Sequence, residues 1–103
     1  MDQRRRSDRL PLSIPVRIYG RTPENRPFRV VTTTNEVSVH GGLLPLARDV
    51  AHGQTLLVVN GITEEERECR VVYVGKKNVA VEFTRSQGDF WHVYPPLANL
   101  RSR

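Results

Sequence analysis

Four arginines, Arg4, Arg5, Arg6 and Arg9, fall within six positions of one another near the start of the chain. Each guanidinium is a planar fork of donors, suited to two-point contact with phosphate or with the O6/N7 edge of guanine. A second polar group lies at Glu36-Val37-Ser38-Val39-His40-Gly41-Gly42. In an extended segment Glu36, Ser38 and His40 project to one side, while Asn35 and Val37 project to the other. A carboxylate there accepts two neighbouring N–H donors, a serine hydroxyl donates or accepts, and Gly41 lets the backbone turn tightly beneath a flat ligand. The competing interpretation is a solvated basic tail and a strand end followed by a glycine turn.

The elements that must hold these residues are strands. Leu10, Leu12, Ile14, Val16 and Ile18 alternate with Pro11, Ser13, Pro15, Arg17 and Tyr19, a period of two. The first strand is expected from about residue 13 to 19, with Pro11 and Pro15 marking an edge. Gly20 to Pro27 has loop composition. Residues 28–34 are rich in β-branched side chains and predict a second strand that runs into Glu36. Residues 43–46 predict a short third strand, with Pro45 arguing for an edge or bulge. Gly53 turns the chain into residues 55–59, and Asn60-Gly61 is expected to make a two-residue type I′ hairpin into residues 62–74. The first half of that arm is expected to face solvent and its second half to be buried. Gly75-Lys76-Lys77-Asn78 turns into a last strand over 79–83. Six strands with short connections predict an all-β barrel or sandwich. Ser86 or Asp89 is placed to cap a short helix carrying Phe90, Trp91 and Tyr94 over a barrel opening, ended by Pro95-Pro96.

The two polar stretches together resemble the PilZ domain, a bacterial receptor module for cyclic di-GMP. The family pattern is Arg-x-x-x-Arg before the first strand, then Asp/Asn-x-Ser-x-x-Gly. Arg5 and Arg9 match the first half, with Arg4 and Arg6 adjacent; Ser38 and Gly41 match the second. Glu36 departs from the pattern, and its extra methylene moves the acceptor by roughly one bond length. The resemblance covers nearly the whole chain. It implies a six-stranded antiparallel barrel with a short C-terminal helix, and one domain over 1–103: an arginine-rich arm at 1–10, a barrel at 13–83, and helix and tail at 84–103. It also implies a non-catalytic receptor of cyclic di-GMP that signals occupancy to a partner protein of unknown identity. The ligand would lie against Arg4, Arg5, Arg6, Arg9, Glu36, Ser38, His40, Gly41 and Gly42, with no cofactor and no metal.

Composition agrees with one small domain. The chain has 103 residues, 38% hydrophobic and 26% charged, room for a modest core without disulfides or metal. A net charge of +5 points to anionic partners. Of the sixteen basic residues only Lys76 and Lys77 are lysine. No apolar run is long enough to span a bilayer, no signal-peptide core follows Met1, and Cys69 has no partner for an intramolecular disulfide. A cytoplasmic location is therefore expected, and a homodimer is compatible with the sequence. His40, His52 and His92 show no metal-ligand spacing. Cys69 is expected to be a small buried hydrophobe, and Phe90 and Trp91 to be core lids. Glu64, Glu65, Glu66 and Glu68 suggest a solvated face, or a counter-charge for the basic arm. Two other functions remain beside the leading one. A general nucleic-acid binder would explain the arginines, and a PilZ-like scaffold that binds protein but no dinucleotide would explain Glu36.

Overall fold

The computed structural model of the chain describes residues 9–85 and 88–93. Seven strands form one curled antiparallel sheet: β1 (Pro15–Arg21), β2 (Pro27–Thr33), β3 (Glu36–Ser38), β4 (Gly41–Pro45), β5 (Thr55–Asn60), β6 (Glu66–Val74) and β7 (Asn78–Phe83). Their order across the sheet is β2-β1-β5-β6-β7-β4-β3. The all-β expectation holds. The strand count differs because the expected second strand is broken at Thr34-Asn35 into β2 and β3. Buried Thr34 makes that break: its Oγ1 donates to the Leu12 carbonyl and accepts from the Ile14 amide.

Prolines were expected to mark edges, yet β1 lies between β2 and β5, and β4 lies between β7 and β3. Pro15 is the first residue of its strand and Pro45 the last, so neither interrupts a ladder from within. Val16 and Ile18 point inward from β1 and meet Val58, Val71, Val79 and Val81 in the core. Fully burying one such side chain stabilises the fold by about 1.5–3 kcal/mol. Ahead of β1, Leu10 and Val37 exchange two backbone hydrogen bonds of 2.9 Å, which bring the start of the chain back onto β3.

The expected Asn60-Gly61 type I′ turn does not form. Both residues bond to β1 instead: Asn60, the last residue of β5, pairs with Val16, and the Gly61 amide donates to the Pro15 carbonyl at 2.7 Å. Buried Asn60 uses its Oδ1 to accept from the Ile62 and Thr63 amides, which opens the connection into a five-residue loop, 61–65. The left-handed residue is Glu64, at φ 67°. Two hydrogen bonds from Arg17, of 2.6 and 3.0 Å, clamp its carboxylate and oppose the cost of that conformation. The Arg17 guanidinium holds the Glu64 carboxyl below its usual range. Glu65 meets His92 at 3.0 Å, so these two carboxylates have partners within the fold.

The second arm of this hairpin also departs from expectation. Cys69 and Val71 are buried, but Tyr73 and Val74 are exposed. A bulge is the cause at Tyr73: Val71 pairs with Val81 while Tyr73 pairs with Ala80, leaving Val72 as an extra residue. One inserted residue turns Tyr73 to the other face, and Val74 is the last residue of the strand.

Phe90 and Trp91 are buried lids, as expected, and pack edge-to-face at 4.8 Å. They sit in a turn in which the Asp89 carbonyl and carboxylate both accept from the His92 amide. The expected helix is not seen where its residues are described: Phe90 and Trp91 lie in this turn, and the described residues contain no helix, while Ser86, Tyr94 and the residues after it lie outside them. Among the described residues no helix is long and apolar enough to cross a membrane.

Cys69 carries a titration signature of this core. Burial pushes its thiol from an ordinary 9.0 up to about 12, with neighbouring Glu68 adding to the shift and Arg67 opposing it. The folded state thus holds the proton more tightly than the unfolded chain. That contribution is complete below pH 9 and is lost as pH rises from 9 towards 12. The native thiol is expected to resist a disulfide reagent at about pH 8 and to react at once in denaturant. Above pH 9 the melting temperature should fall less steeply in Cys69→Ala than in the parent.

Candidate functional site

The β3–β4 hairpin is built on short-range chemistry. Ser38 Oγ accepts from the His40 amide at 3.1 Å and the Gly41 amide at 3.2 Å, closing the turn. A hydroxyl accepting two N–H donors has its own proton left to donate. Val37 is fully buried, while Glu36 and Ser38 face the other way, as the alternation predicts.

Gly41 serves a different purpose from the tight turn expected of it. A Cβ there would run into the Val81 carbonyl and lie 2.9 Å from the Glu82 Cα. The missing side chain therefore lets β4 approach β7, with Gly41 opposite Glu82 in the register. At Gly42 a Cβ would meet the Glu36 carbonyl at 3.0 Å and the Trp91 ring at 3.3 Å.

On the outer face of β3, β4, β7 and β6 lies a concavity of about 450 Å³. Arg9, Glu36, Ser38, His40, Gly41 and Gly42 all line it. The Leu10–Val37 bridge is what delivers Arg9, whose Nη1 stands 3.7 Å from Glu36 Oε1. Arg4, Arg5 and Arg6 lie outside the described residues. The far wall comes from residues that the sequence did not single out: Tyr73, turned outward by the bulge and 55% exposed, and Glu82 on β7. Period-two alternation assigns Tyr73 to the buried face, and no local signal announces the bulge. Of the described residues that line the concavity, Arg9 is the one arginine or lysine, set against the carboxylates of Glu36 and Glu82. A doubly anionic ligand would need further positive charge there.

A separate polar cluster lies on the outer face of β1 and β2. Tyr19 Oη accepts from Arg17 Nε at 3.2 Å and from Arg29 Nε at 3.4 Å. Those hydrogen bonds, Arg29 first, hold the phenol below its usual range.

A curled antiparallel sheet with this concavity on its outer face defines a small all-β domain of the barrel class. The PilZ domain family model matches residues 3–89, and the chain belongs to that family. Among solved structures it is similar to the PilZ domain of CeSA from a cellulose-synthesizing bacterium, with a TM-score of 0.59 and 17% identity. That likeness covers 77% of this chain and 82% of the other, and it concerns the fold. Comparison with curated proteins gives no match.

Gly41→Ala tests the close approach of β4 to β7. Backbone, not a flexible side-chain end, blocks the new methyl group. The substitution is expected to destabilise the domain by about 1–3 kcal/mol, the usual range for overpacking. Urea unfolding would measure it, and an unchanged midpoint would show that the strands have room to spare.

Proposed function

We propose that this domain is a non-catalytic receptor for cyclic di-GMP that passes ligand occupancy to a partner protein. The observation that carries the proposal is the convergence of Arg9 with Glu36 and Ser38 on one concavity. These residues belong to two motif halves that are 27 residues apart between Arg9 and Glu36. Membership of the PilZ family supports the choice of ligand.

Each part of the ligand has a complement. Glu36 accepts from guanine N1–H and N2–H, and the remaining Ser38 proton donates to an acceptor on the same edge. Gly41 and Gly42 keep the floor of the site low, and His40 stands at its rim. Tyr73 offers an exposed ring for a base to stack on. Arg4, Arg5, Arg6 and Arg9 supply the charge that the phosphates require. From Leu10 back to Arg5 the chain can span up to roughly 17 Å, a length sufficient for the arm to reach the concavity. Ligand must first part Arg9 from Glu36.

That same contact favours a second reading, the scaffold that binds protein and no dinucleotide. Arg9 and Glu36 already face each other, and Ser38 Oγ already caps its own turn. Calorimetric titration with cyclic di-GMP separates the two readings. Saturable heat is expected from the parent, and none would leave the scaffold.

Arg9→Ala is expected to weaken binding roughly ten- to a hundredfold, the value of one charge-assisted contact, with little change in melting temperature. Tyr73→Ala should cost about 1–3 kcal/mol if a base stacks there. Glu36→Asp is expected to tighten binding by a few tenths to about 1 kcal/mol, because the shorter chain loses less rotamer freedom. Glu36→Ala should weaken it. Binding by Glu36→Asp but not by the parent would mean that ligand was lost through this one methylene. Equal affinity in all three proteins would remove Glu36 from the site.

A further inference from the structure

The turn between Ser38 and Gly41 has three outward carbonyls, and each is taken by a donor from a distant part of the chain. His40 O accepts from the Phe83 amide at 2.8 Å. Ser38 O and Gly41 O both accept from the indole Nε1–H of Trp91, each at 3.0 Å. One proton thus spans both ends of the turn whose other side lines the concavity. The ring is buried, 4% exposed, and its Cζ2 edge abuts the space that a side chain at Gly42 would need. Phe83, Phe90 and Trp91 pack as one aromatic group, with centroids 4.8 to 6.0 Å apart.

Trp91 is not merely carried by the hairpin. Its neighbour Phe90 accepts at its carbonyl from Asn60 Nδ2 at 2.9 Å, and His92 meets Glu65 at 3.0 Å. The turn at 88–93 is therefore anchored independently on the end of β5 and the loop that follows it. The indole bridges two fixed parts: the hairpin of the candidate site and the segment that follows β7.

From this geometry we infer that Trp91 is a positioning residue, which holds the Ser38–Gly41 turn in its binding shape and couples occupancy of the site to the segment after β7. The coupling rests on the receptor reading above. A ligand on Ser38, Gly41 and Gly42 pulls on the same peptide groups whose carbonyls the indole holds. Shifting those groups must lengthen or re-aim one or both of its hydrogen bonds.

Trp91 is the one tryptophan in the sequence, so its indole N–H gives a single, unambiguous resonance. In nitrogen-15-labelled full chain, stepwise addition of cyclic di-GMP is expected to move that resonance, saturating together with the calorimetric isotherm. Trp91→Phe keeps an aromatic hydrophobe and deletes the donor. Loss of two hydrogen bonds at the turn is expected to lower affinity roughly tenfold. Amide exchange at His40 and Gly41 should quicken by a similar factor, with Val58 in β5 unchanged. An indole resonance that stays still at saturation overturns the coupling. Parent-like affinity together with parent-like exchange at His40 and Gly41 overturns the positioning role. Should the variant not fold, the shift in the parent still decides the coupling. If the parent takes up no cyclic di-GMP, the receptor reading fails and the coupling with it, and exchange at His40 and Gly41 alone decides whether Trp91 holds the turn.

Discussion

The curl of this sheet closes on two hydrogen bonds, those between Leu10 and Val37. Neither residue carries a functional group, yet the candidate site depends on their pairing. With Leu10 bridged to β3, Arg9 sits beside Glu36 and Ser38 at the concavity. Without the bridge, Arg9 would hang from β1 at no defined distance from the hairpin. A backbone contact between two apolar residues therefore does what a chain of polar contacts does in many sites. It costs no buried charge.

The outer face is organised by what is missing and what is added. At Gly41 a missing side chain lets β4 lie close against the Val81 carbonyl, which sets the depth of the floor. At Val72 an added residue rotates Tyr73 out of the core and opposite Ala80, which raises a wall. Both devices cost regularity. The β6–β7 ladder is disturbed, and an aromatic ring that could have joined the core is left exposed. The core compensates from the other side, where Phe90 and Trp91 close over it.

That closure is more polar than an aromatic lid would suggest. Asn60, fully buried, satisfies both ends of its amide by capping the 61–65 loop and holding the Phe90 carbonyl. Trp91 satisfies its indole on the hairpin. A buried polar group left without a partner costs about 1–3 kcal/mol, so these bonds specify one seating of the lid and penalise the others. The lid is consequently a ruler between the β5–β6 loop and the β3–β4 turn.

Much of this was legible in the residues themselves. Alternation assigned Val16, Ile18 and Val37 inward and Glu36 and Ser38 outward, and Gly75–Asn78 turned where its composition said it would. The arginine and serine-glycine spacings named the family whose model then matched residues 3–89. Such features depend on neighbours within a few positions, where period and turn chemistry act. Tertiary structure decided the rest. Asn60-Gly61 has the composition of a tight hairpin, but β1 offered both residues a ladder and the turn moved to Glu64. Tyr73 has the phase of a buried residue, but the register with β7 slipped by one. Gly41 has the look of a turn glycine, but its constraint is a carbonyl 40 positions away, at Val81. In each case the deciding partner lies on another strand, and no local pattern in the chain records how closely that strand will come.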